Sequence, residues 1–134
     1  MLWQDSFAVG IAEIDEQHQE LFAQLEKLMD AAIGDPDHVA MEEIVIFLDQ
    51  YTKDHFSGEE QRMVESQYPG YQDHKEMHRE FIQELAYLKE ELQSPSGKHP
   101  SLTNLIGFLS EWLIQHILDM DQQMGNYLIR HGMA

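Results

Sequence analysis

The chain contains no cysteine. Disulfides, thiolate metal ligands and thiol nucleophiles are therefore excluded, and any bound metal has to be held by imidazole and carboxylate. Such ligands suit iron, manganese or zinc better than copper(I). Positive charge is scarce as well: 8 Lys and Arg stand against 25 Asp and Glu, a formal net charge of −17. That balance argues against nucleic acid and anionic membranes as partners, because both are bound through basic surface that releases counterions. No apolar run approaches the roughly 18–20 residues of a membrane span. The opening "MLWQDSFAVG" has neither the basic start nor the long apolar middle of a secretory signal, so a cytoplasmic location is expected. Strand-type alternation, internal repeats and low-complexity runs are also missing, which leaves a single all-α domain over residues 1–134.

What the sequence does have is apolar spacing of the helical kind, in four blocks. The first runs Leu21, Leu25, Leu28, Met29, Ala32 and stops at "GDPD". The second, opening near Asp37, runs Ile44, Phe47, Leu48, Tyr51. The third follows "YPGY" and runs Met77, Phe81, Leu85, Leu88, Leu92 up to "SPSGKHP". The fourth runs Leu102, Leu105, Ile106, Leu109, Trp112, Leu113, Ile117, Met120, Met124, Leu128, with Gly132 as its stop. Short connections between four such helices predict an antiparallel up-down-up-down four-helix bundle. The expected bounds are 15–34, 38–64, 70–93 and 101–131, after an N-terminal arm over 1–14 anchored by Trp3 and Phe7.

Continuing each stripe exposes its anomaly. Back from Leu25 and Leu21 comes His18; on from Leu48 and Tyr51 come His55 and Glu59. His74 and His78 open the third stripe, and His116 interrupts the fourth ahead of Asp119 and Asp121. A single H-x-x-x-H pair means little, since 8 histidines in 134 residues yield about half of one by chance. The set as a whole is another matter. Early in helix one, late in two, early in three and past the middle of four is the order that brings all of them to one end of an antiparallel bundle. Buried without partners, each such group would cost about 2–7 kcal/mol, so a metal is the economical explanation. Five imidazoles and two carboxylates exceed one tetrahedral zinc site and suit two octahedral ions sharing carboxylates, an arrangement known in bundle cores. Helical arithmetic alone would choose Asp119 as the second carboxylate. Asp121 lies about 140° round an ideal α-helix from His116, whereas Asp119 lies nearer the same face.

The blocks "GIAEIDEQHQELF", "HFSGEEQRM", "YPGYQDHKEMHREF" and "FLSEWLIQHILDMD" resemble hemerythrin in its bacterial single-domain form, in order and spacing over nearly the whole chain. The resemblance implies two iron ions with a bridging oxo or hydroxo group. It gives one iron His74, His78 and His116 and the other His18 and His55, with Glu59 and Asp121 between them, so it selects Asp121 over Asp119. It also implies reversible dioxygen binding on the iron with fewer histidines, in a dry pocket for which Phe56, Trp112, Leu113 and Ile117 are the lining candidates. The function expected is an oxygen carrier or store, not an enzyme, with dioxygen as the ligand. A sensor of oxygen, nitric oxide or redox state, and less favourably a diiron oxidase or peroxidase, are the alternatives. His38, His99 and His131 are expected in solvent at loops or helix ends, the methionines as core filling, and Tyr51 and Tyr127 have no role readable from sequence.

Overall fold

The computed structural model describes residues 2–33, 37–93 and 102–133. A short 3-10 turn (Asp5–Phe7) leads into α1 (Ala12–Ala32), α2 (His38–Glu65) and α3 (Tyr71–Leu92). The fourth rod is composite: α4 (Leu102–His116), a π-helical turn (Ile117–Asp121) and α5 (Gln122–Arg130). Among the described residues there is no strand. α1 packs on α2 and α4, and α3 packs on α2 and α4, so the rods form the square of an antiparallel four-helix bundle. The breaker "SPSGKHP", the expected end at residue 34, the start at 101 and His99 lie outside the described residues.

The first two helices are entered for local reasons. Asp37 caps α2 by accepting from the Ala40 N–H at 3.1 Å. α1 begins at Ala12, three residues before the expected position. Asp15, in its first turn, reaches back to accept from the backbone N–H groups of Val9 (2.7 Å) and Gly10 (3.3 Å). That contact draws the end of the arm into the helix start, and Gly10 makes the turn with φ +92°. The arm itself is anchored as expected: Phe7 is buried and Trp3 half-buried, with Trp3 edge-on to Phe7 at 5.9 Å and both rings against Phe22. Gly125 of α5 permits this approach, since a Cβ there would lie 2.7 Å from the Val9 carbonyl oxygen.

The α2 stripe is shifted from the expected one. Its buried face is Met41, Val45, Leu48, Thr52, His55, Phe56, Glu59 and Met63. Ile44 and Tyr51 are only half-buried, and Phe47 is 43% exposed. The run "IVIFL" is apolar all round, so periodicity there does not define one face. α2 ends with Gln67 in the left-handed region at φ 58°. The Tyr68 N–H then bonds back to the Met63 carbonyl at 2.9 Å, the closure usually made with glycine.

Candidate metal centre

His18 and Glu59 come from opposite ends of their helices in sequence yet meet in space, because α1 and α2 run antiparallel. The same holds for α3 and the fourth rod. His18, His55, Glu59, His74, His78, His116 and Asp121 are all buried, none more than 3% exposed. Glu59, His74, His78, His116 and Asp121 each offer one ligand atom within 4.8 Å of the others, and His18, His55 and Glu59 form a second such group.

The two carboxylates lie between two sets of imidazoles, one oxygen to each set. Glu59 Oε2 is 3.3 Å from His18 Nε2 and 3.0 Å from His55 Nε2, while Oε1 is 3.6 Å from His74 Nε2 and 3.1 Å from His78 Nε2. Asp121 Oδ2 is 3.1 Å from His18 Nε2, and Oδ1 is 2.8 Å from His74 Nε2 and 3.1 Å from His116 Nε2. None of these buried nitrogens and oxygens has a hydrogen-bond partner with acceptable alignment among the described residues. Atoms of this kind left unsatisfied are costly, and a cation in their midst satisfies all of them together. The residues present therefore fit a pair of metal ions held by nitrogen and oxygen.

The π-helical turn brings Asp121, and not the Asp119 of helical arithmetic, to the imidazoles. The Gln122 N–H bonds to the Ile117 carbonyl, five residues back. In that wider turn a residue five positions on returns to the same side, whereas in an α-helix it would be about 140° away. Asp121 is consequently buried beside His116, and Asp119 is exposed.

Electrostatics follows from the crowding. Burial works against a charged His18, yet the flanking Asp121 and Glu59 outweigh it and push its pKa up to about 10. His74 is opposed by burial in the same way and raised by the same two carboxylates to about 9. His78 is also raised, by Glu59 and Glu60 against burial. His116 goes the other way, lowered by burial and by the neighbouring His78 and His74 despite Asp121. Burial favours the neutral form of Glu59 and Asp121, but the surrounding imidazoles prevail and hold both well below the ordinary carboxylate range. The site thus prefers full ionisation of its acids together with positive charge among its bases.

Aromatic rings close the site. Phe56 stacks flat on His78 with centroids 3.8 Å apart, and Trp112 stacks on His116 at 4.5 Å. Phe56, Leu113 and Ile117 are buried, and Trp112 is half-buried with its indole N–H inside. Two polar neighbours were not visible in the sequence. His55 Nδ1–H donates to Gln17 Oε1 at 2.5 Å, and His78 Nδ1–H donates to Glu60 Oε2 at 3.0 Å. Both contacts cross between helices, so no spacing along the chain announces them. Tyr127 stays outside this network, donating to the Ser66 carbonyl at 2.8 Å. Tyr51 sits beside Glu16 and Glu20. His131 is exposed, while His38 makes a bond from α2 to the Leu92 carbonyl that ends α3.

A family model described as the hemerythrin HHE cation binding domain matches residues 9–128. The chain belongs to the hemerythrin family. It is 32% identical to a bacteriohemerythrin of Pseudomonas aeruginosa (strain LESB58) over 136 residues, covering 100% of this chain and 84% of that protein. It is also 32% identical to a myohemerythrin of Sipunculus nudus over 120 residues, covering 90% of this chain and 87% of that one. Among solved structures, a wild-type hemerythrin crystal structure superposes with a TM-score of 0.82 at 25% identity, over 96% of this chain and 97% of that one. The hemerythrin fold accounts for the four rods and for the end of the bundle at which the polar side chains gather.

Proposed function

We propose that this hemerythrin binds dioxygen reversibly at a non-haem diiron centre, as an oxygen carrier or store and not as an enzyme. The observation that carries the reading is the division of the carboxylates: Glu59 turns Oε1 to His74 and His78 and Oε2 to His18 and His55, and Asp121 turns Oδ1 to His74 and His116 and Oδ2 to His18. That is the disposition of two bridging carboxylates. In this reading His74, His78 and His116 would hold one iron, His18 and His55 the second, and Glu59 and Asp121 would serve both. When bound, the iron pair supplies the two electrons that reversible dioxygen binding requires. Imidazole-rich coordination suits that redox role, and the hydrogen bonds on Nδ1 of His55 and His78 leave Nε2 of each ring with its lone pair directed inward.

Phe56, Trp112, Leu113 and Ile117 serve as the lining of the dioxygen pocket. Their part is to exclude water, so that bound oxygen would be released instead of being reduced further. The other buried polar side chains among the described residues, Thr52 and Ser66, spend their hydroxyl hydrogens on the carbonyls of Leu48 and Met63. The reading extends to one such domain over residues 1–134 in the cytoplasm, with dioxygen and not nucleic acid as its partner. No helix of the described residues is long and apolar enough to cross a membrane.

The test is iron per chain together with the visible spectrum under argon, then air, then argon again. Two irons and a colour that appears in air and fades in argon are expected. A single irreversible oxidation would replace the carrier with a redox sensor or an oxidase.

A further inference from the structure

Of the five imidazoles, His55 and His78 have a partner on the outer nitrogen, while Nδ1 of His18, His74 and His116 has none among the described residues. One partnered ring falls in each histidine set. The partners differ in charge: Gln17 presents a neutral carboxamide to His55, and Glu60 presents a carboxylate to His78. The Glu60 side chain is only 23% exposed. Arg62, two residues on in the chain, is engaged with Glu13 at 2.8 Å. Glu60 therefore delivers its charge to the outer N–H of His78 with modest screening. A charge-assisted bond of this kind is about twice as strong as a neutral one, and it makes the opposite ring nitrogen a better donor.

Building on the diiron reading, we propose that Glu60 and Gln17 make the two halves of the centre electronically unequal. Glu60 makes His78 the stronger donor, so the iron that His74, His78 and His116 would hold is the one that passes the first electron to a one-electron acceptor such as a redox mediator. Gln17 orients His55 without adding charge and leaves the two-histidine iron ferrous in the half-oxidised protein. Glu60 and Gln17 are positioning residues, since each acts through the imidazole it touches. The same hydrogen bonds read as plain orientation of two rings would be indifferent to the charge of the partner, and that difference is what the experiment measures.

The experiment compares the iron-loaded wild type with Glu60→Gln and Gln17→Glu by mediated spectroelectrochemistry, after iron per chain is counted in each. Glu60→Gln keeps the bond's shape and removes its charge. Its first one-electron potential is expected to rise by the equivalent of about tenfold in the equilibrium, about 59 mV. Gln17→Glu adds a charge to the other ring and is expected to lower the potential of its own iron, bringing the two one-electron steps closer together. A competition with zinc, which has no redox chemistry, gives a second readout: Glu60→Gln is expected to weaken zinc retention about tenfold. An unchanged potential and zinc affinity in Glu60→Gln, or a shift of the same sign in both variants, overturns the inference. A wild type that does not hold two irons would instead defeat the diiron reading itself.

Discussion

The two ends of the bundle are built from the same four helices on different terms. At one end Leu28, Met41, Val45, Leu48, Leu88, Leu92, Leu102, Ile106 and Leu109 fill the core, all buried and all hydrocarbon or thioether. At the other end the corresponding stripe positions carry five histidines, a glutamate and an aspartate, equally buried. Apolar burial is non-directional and roughly proportional to area, so the first end tolerates many sequences and is indifferent to protons and ions. The polar end is directional. Its atoms are satisfied only by partners at a particular place and charge, which ties it to pH and to metal. The comparison teaches that one helix can be a stabilising element along half its length and a ligand scaffold along the other half.

Removing one carboxylate should break the polar end outright. Glu59→Ala strips an oxygen from both histidine sets, and metal analysis should find both ions lost. Taking one charged partner from a buried group destabilises by about 3–5 kcal/mol. If Glu59→Ala retained two irons, the carboxylate would not be a bridge. Leu88→Ala at the apolar end should cost about 2–5 kcal/mol through lost burial and a residual cavity. Its iron content and visible spectrum should stay at wild-type levels, and a loss of iron there would mean that the two ends are not separable.

Titration should sharpen the contrast further. In metal-free protein, His18 and His74 are raised from 6.5 to about 10 and about 9, and His78 is raised as well. The folded state then binds more protons than the unfolded one, so stability is complete below about pH 6.5 and declines as pH climbs towards 9–10. Glu59 and Asp121 are depressed, so their contribution is present above about pH 4 and fades below it. His116, lowered, opposes the three raised imidazoles only in part. Bound metal should invert the upper limb, because it requires neutral imidazole and competes with protons. Thermal unfolding from pH 4 to 10, with and without metal, should therefore show an optimum near pH 5–6 for the metal-free protein and a higher one for the loaded protein. Coincident optima would contradict this. The smallest effect concerns the α2–α3 turn. Gln67→Gly relieves a left-handed backbone, and after glycine's own entropic cost it should raise stability by roughly 0.5–1 kcal/mol in denaturant unfolding, with iron content unchanged.

Much of this was written in the chain. The stripes Leu21–Leu25–Leu28, Phe81–Leu85–Leu88 and Ile106–Leu109–Leu113 repeat at the helical period and bury the residues expected, because period and burial are the same statement for an amphipathic helix. The convergence of five histidines and Glu59 was legible too, since an antiparallel bundle converts early and late positions into a common height. Where the sequence was apolar on every side, as at "IVIFL", the period could not choose a face, and packing against α1 and α3 did so. The outer partners Gln17 and Glu60 became visible only in three dimensions, because contacts between helices leave no trace in the spacing along either one. Asp121 stands between the two, selected in the sequence by the family resemblance and not by the helical period. Its place beside His116 depends on a π-helical turn, a choice of backbone hydrogen bonds that residue identities favour only through the tertiary site that it completes.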